Sequence, residues 1–148
     1  MSRPDGALVA DAWLRLVSGL PASCIGPTLP DVKRTPAPPW ATQGFVQHTV
    51  VGGSPTTHVP VRRTVVQLDF WATTLDDRTP PWGRASALAE TVLAATYGAT
   101  NQLALTVPSG YDTPSLRVVL ALQEPRKVRE DGAGFAHFQF DAEFVWTS

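Results

Sequence analysis

From Val61 to Thr96 the spacing of apolar residues changes period half-way. Thr64, Val66, Leu68, Phe70 and Ala72 fall on one face of the first half, and Arg63, Gln67 and Asp69 on the other. That two-residue alternation marks a strand with one buried side. Val65 and Trp71 interrupt the polar side, so partial cover is expected there too. A breaker follows, Asp76-Asp77-Arg78-Thr79-Pro80-Pro81, in which Thr79 suits a helix N-cap and Pro80 the first helical position. Beyond it Ala85, Leu88, Ala89, Val92, Leu93 and Thr96 recur at helical spacing, with Gly98 as a stop. A strand that feeds an amphipathic helix through a short turn lays the helix back on a sheet.

The same reading extends along the chain. Asp5 caps a first helix whose stripe is Val9, Trp13, Leu16 and Leu20, ending at Gly19-Leu20-Pro21. Pro21 to Gly44 is rich in proline and predicts an irregular loop or arm carrying Leu29, Val32 and Trp40. Phe45 to Val51 alternates weakly, and the Gly52-Gly53-Ser54-Pro55 turn joins it to Val59–Ala72 as an antiparallel hairpin. Leu103, Leu105 and Val107 predict a short strand, Leu116–Gln123 an apolar one, and Glu124–Gly134 a charged turn region. From Phe135 to Trp146, Ala136, Phe138, Phe140, Ala142, Phe144 and Trp146 oppose His137, Gln139, Asp141 and Glu143, a half-exposed strand paired with Leu116–Gln123. The sum is one α+β domain over residues 1–148: a mostly antiparallel sheet of two hairpins with two main helices packed on one face.

Composition narrows the function classes. A net charge of −1 gives no general attraction to nucleic acid or anionic membrane. Charged residues make up 17% of the chain, below the usual quarter, while five tryptophans stand beside them. Either the surface presents neutral patches to partners or the core absorbs the aromatics. Cys24 is the single cysteine, so no internal disulfide forms. That, with no signal-peptide pattern after Met1 and no apolar run of membrane length, leads to the expectation of a cytosolic protein.

The search for chemistry yields little. His48, His58 and His137 are far apart, with no metal-ligand spacing, and are read as exposed strand or loop histidines. Cys24 lacks the cationic neighbour or helix N-terminus that activates a thiolate. Asp76-Asp77 reads as turn chemistry, and Asp141 with Glu143 as a solvated strand face. Gly52-Gly53 and Gly132-Ala133-Gly134 have no following Lys-Ser/Thr and are not phosphate loops. No catalytic residues, metal ligands or cofactor are assigned, which favours a structural or binding subunit over an enzyme.

One resemblance covers most of the chain. A "VQLDFWA" strand (Val66 to Ala72) leads into an "A-x-x-L-A-E-x-V" helix (Ala85 to Val92), after a striped first helix (Val9 to Leu20) and a strand at Phe45 to Val51, and before the aromatic strand Phe135 to Trp146. In that order these features are similar to the tail-terminator (tail-completion) proteins of long-tailed bacteriophages. The resemblance implies a virion protein of the head–tail junction, assembled in the host cytoplasm. It implies a homohexameric ring that caps the tail tube, ends its polymerisation and presents a surface to the head-side connector or stopper. DNA would pass through the lumen without sequence-specific binding, and neither cofactor nor membrane is implied. On that reading Val32, Trp40, Phe45, Val51 and Val59 are the subunit-interface candidates, and Arg62, Arg63, Arg126, Lys127 and Arg129 the lumen or rim charges. Two alternatives stand beside it. One is another neck protein such as a head-closure subunit; the other is a small-ligand module whose pocket is lined by Trp71, Phe138, Phe140, Phe144 and Trp146.

Overall fold

The computed structural model describes residues 2–30, 40–56, 58–73, 80–97, 103–128 and 134–148. In chain order these form α1 (Gly6–Leu14), a 3-10 turn (Ala22–Cys24), β1 (Ile25–Gly26), α2 (Trp40–Gln43), β2 (Phe45–Pro55), β3 (Val61–Thr73) and α3 (Trp82–Tyr97). β4 (Leu103–Ala104), β5 (Ser115–Ala121), β6 (Arg126–Val128) and β7 (Phe135–Thr147) complete the fold. Among the described residues seven strands make one sheet in the order β1-β2-β3-β7-β5-β4, with β6 also paired to β7. Among the described residues every strand pairing is antiparallel except β1 with β2. The α+β class read from the sequence is therefore the observed one.

The two hairpins are not separate units. β7 pairs with β3 along its whole length, from Val61 opposite Thr147 to Thr73 opposite Phe135. These are the two strands with the most regular alternation in the chain, so one register buries both apolar sets on the same face. Phe70 and Phe140 stack there with ring centroids 5.4 Å apart, and Trp13 of α1 meets Phe144 edge-on at 5.5 Å. Val9, Leu14, Val66, Leu68, Ala89, Val92, Leu116 and Trp146 join the same core. Burying each large side chain of this kind is worth about 1.5–3 kcal/mol. The Trp146 indole, fully buried, donates to Thr64 Oγ1 at 3.0 Å, so its one polar atom is satisfied.

The elements depart from the sequence reading at several points. α1 begins as expected, with Asp5 Oδ1 accepting from Leu8 N at 3.0 Å, but it ends at Leu14 rather than at Gly19. The next bonds, Leu16 N to Trp13 O and Val17 N to Leu14 O, are tight three-residue turns. They rotate the stripe, so Val17 is buried and Leu16 is 55% exposed. β2 runs on through the expected turn as far as Pro55, because a bulge at Val51 absorbs the change of register. Gly53 sits there at φ 126°, where a Cβ would lie 2.1 Å from the Arg63 carbonyl. Glu124–Gly134, expected to be turn throughout, contributes β6, which pairs with His137–Gln139. β7 is also better covered than expected, since His137 and Gln139 on its polar side are buried. The proposed cap Thr79, the pair Asp76-Asp77, the stop Gly98 and the glycines Gly132 and Gly134 were read from sequence; of these only Gly134 lies within the described residues.

Candidate functional site

The face of the sheet opposite α1 and α3 carries a closed polar network. Asp69 comes from β3, and His137 and Gln139 from β7, and all three are buried. Strand pairing sets Asp69 opposite Gln139 and Trp71 opposite His137, so the cluster follows directly from register. Asp69 Oδ1 accepts from His137 Nε2 at 2.7 Å and from Gln139 Nε2 at 2.8 Å, while Oδ2 accepts from Gln67 Nε2 at 3.0 Å. Burial alone pushes the Asp69 carboxyl up, but these three donors and the electrostatic attraction of the His137 ring outweigh it and hold the group below the usual carboxylate range. The His137 ring stacks on Trp71 at 3.9 Å, and the Trp71 indole donates to Gln47 Oε1 at 3.1 Å, tying in β2. Arg126 of β6 closes the other side through Nε to Gln139 Oε1 at 3.1 Å. Every named donor to Asp69 is a side chain of the sheet itself, so the arrangement fastens β3 to β7.

The reading of His48 and His137 as exposed histidines is corrected: both are buried, and each meets a carboxylate. His48 Nε2 lies 3.0 Å from Asp11 Oδ2, and Asp11 Oδ1 also takes Arg15 Nε at 2.6 Å. His48 Nδ1 is buried without a hydrogen-bond partner. His58 is exposed, as expected. Among the described residues no group of three or more His, Cys, Asp or Glu is placed to hold a metal ion. Cys24 is buried, its thiol pushed up by that burial, and it donates to Gln43 Oε1 at 3.4 Å.

The interface candidates separate into two kinds. Trp40 and Phe45 are 1% and 2% exposed and belong to an internal cluster with Cys24, Leu29, Trp71 and Phe135. Trp40 donates to the Pro30 carbonyl at 3.0 Å, so the start of α2 holds Pro30 beside it. Both side chains are thus taken up within the subunit. Val51 and Val59 are 52% and 50% exposed and remain open to a neighbour. Val32 and Arg129 lie outside the described residues.

The basic candidates do not gather into one patch. Arg62 stacks over the Trp146 ring at 4.7 Å, and Arg63 pairs with Glu143 at 2.9 Å. Lys127 sits 4.1 Å over the Trp82 ring, on the helix side of the sheet. Arg126 pairs with the row of Gln139 and Arg62 with the row of Trp146, about 24 Å along β7 at ~3.4 Å per residue. The aromatics considered for a ligand pocket serve the core instead: Phe140, Phe144 and Trp146 are all at most 1% exposed.

The sequence reading missed the two outer edges of the sheet. β1 pairs with β2 only at Val46 and Gln47, and β4 with β5 only at Ser115 and Leu116. Beyond those points neither edge is paired among the described residues, and Val50, Val51, Leu120 and Leu122 are exposed there. A groove of about 420 Å³ runs between the start of α1 and the β2 edge, and one of about 580 Å³ between the end of α3 and the β5 edge. The available signal was the absence of charge from Val118-Val119-Leu120-Ala121-Leu122-Gln123.

No protein-family model matches the chain, and no curated protein matches it. Among solved structures, a chain of the virion of a native gene transfer agent particle is similar. It is 14% identical, with a TM-score of 0.46, and the alignment covers 97% of this chain and 87% of that one. A likeness of that degree carries no inference of a shared role.

Proposed function

We propose that this chain is a structural virion subunit of the head–tail junction, a ring that caps a tail tube, ends its polymerisation and offers a surface to the head-side connector. The observation that carries this reading is the pair of sheet edges left unpaired among the described residues, where Val50, Val51, Leu120 and Leu122 are exposed and Arg117 is the one Lys, Arg, Asp or Glu. Exposed apolar edges of this kind are normally blunted or covered. The sequence resemblance to tail terminators, strongest from Val66 through Val92, supplies the assembly in which they would be covered. A ring needs two different patches on each subunit, and the opposite ends of one sheet provide them. No bound cofactor is called for, and DNA would pass without base recognition. Negative-stain images of the purified protein, alone and with cognate tail tubes, test the proposal. Annuli that bind tube ends are expected; a protein that stays monomeric and ignores tubes would refute it.

A further inference from the structure

We infer that neighbouring copies join edge to edge, the β5 edge of one subunit pairing antiparallel with the β2 edge of the next, so that one sheet runs continuously around the assembly. This rests on the self-assembling reading above and specifies its contact.

Three observations carry it. The first is direction. β2, β3, β7 and β5 are successive antiparallel neighbours, so β2 and β5 point opposite ways. Two copies held in the same orientation, as cyclic symmetry demands, therefore meet as an antiparallel pair. The second is level. Rows of the sheet run Leu120, Glu143, Val65, Gly52; Val118, Val145, Arg63, Ser54; and Ala121, Ala142, Val66, Val50. The uncovered parts of the two edges occupy the same rows, so a second copy continues the sheet without an axial shift. The third is chemistry. Leu122 N donates to Asp141 O at 2.8 Å, which turns its N–H toward β7 and, by the two-residue period, those of Val119 and Ala121 outward. The residues brought together, Val118–Gln123 and Thr49–Ser54, include no charge; Arg117, exposed at the β5 bulge, stands at the end of the contact nearest β4. Pairing in these rows sets Leu120 beside Gly52 of the next copy and covers Leu122 and Val50 as well.

Paired cysteines test the contact. An added Cβ at Gly52 meets nothing within 4 Å, and Leu120 is 46% exposed, so both positions take the change without strain. Native Cys24 is 3% exposed and stays out of the reaction. The full chain carrying Gly52→Cys with Leu120→Cys, with and without cognate tail tubes, is oxidised with copper–phenanthroline and run on a non-reducing gel. A ladder of cross-linked oligomers ending at the ring size is expected, with no ladder from either single variant. Dimers from Leu120→Cys alone would mean a two-fold β5–β5 contact and would overturn the inference. Annuli in micrographs without any ladder would overturn the edge contact while leaving the ring intact. Monomers under both conditions would remove the ring and the contact together.

Discussion

Replacing Asp69 with alanine tests whether the buried polar network holds the sheet together. The change removes a carboxylate that accepts from His137, Gln139 and Gln67 at 2.7–3.0 Å. Two of those donors, His137 and Gln139, are buried and would lose their shared acceptor. Taking away the acceptor of a buried donor costs about 1–3 kcal/mol, so two such losses give roughly 3 kcal/mol after partial relaxation. For a domain of this size that is a fall in Tm of about 6–12 °C. Urea unfolding followed by tryptophan fluorescence reads it directly, because Trp71 stacks on His137. The pH dependence gives a second check. The folded Asp69 group is held below its unfolded value, so its stabilisation is present above the ordinary carboxylate range and is lost as pH falls through the lower, folded value. Asp69→Ala should remove that part of the acid-side slope. A loss below about 0.5 kcal/mol, the range of ordinary surface changes, with an unchanged acid limb, would refute the role given to the network.

Two further outcomes follow from local geometry. Gly53→Ala should be destabilising by more than 1 kcal/mol, since the site combines φ 126° with a Cβ position 2.1 Å from the Arg63 carbonyl, while Gly52→Ala should change stability by less than about 0.5 kcal/mol; equal effects in thermal melts would contradict the bulge. Trp40→Ala should cost about 3 kcal/mol and make Cys24 react with a thiol reagent in the native state, because Trp40 caps the cluster in which that thiol is buried; an inert thiol would mean that other groups shield it.

Much of the fold was legible because its central strands obey a simple period. In Val66–Ala72 and Ala136–Trp146 every second residue is apolar, and both sets are buried or nearly so. α3 was equally plain: of its expected stripe, Ala85, Ala89, Val92 and Thr96 are buried. The misplacements have a common cause, that a local pattern says nothing of what another segment does to it. Leu16 and Leu20 continue the α1 stripe in sequence, but the chain turns at Arg15 to reach β1. His137 looked solvated because its own strand alternates, whereas Trp71 on β3 covers it. Asp69 did carry a signal, lying between Leu68 and Phe70 and sharing its face with Trp71. The free edges left only one trace in the sequence, the uncharged run Val118–Gln123, because an edge is defined by the pairing that is missing.

Low charge and abundant tryptophan left two readings of the composition, a neutral surface or an aromatic core, and the structure divides them by residue type. Trp13, Trp40 and Trp146 are at most 3% exposed, so the aromatic share is largely internal. What remains outside is mainly aliphatic, with Val50 and Val51 near one end of the sheet and Leu120 and Leu122 near the other. The central strands meanwhile satisfy the buried Asp69 with three donors and the buried Trp146 with one acceptor. A fold that pairs these central groups yet, among the described residues, leaves apolar side chains beside unpaired backbone at both rims has its largest unmet demand at those rims. Contact along those rims satisfies hydrogen bonding and apolar burial together, which capping a single face would not.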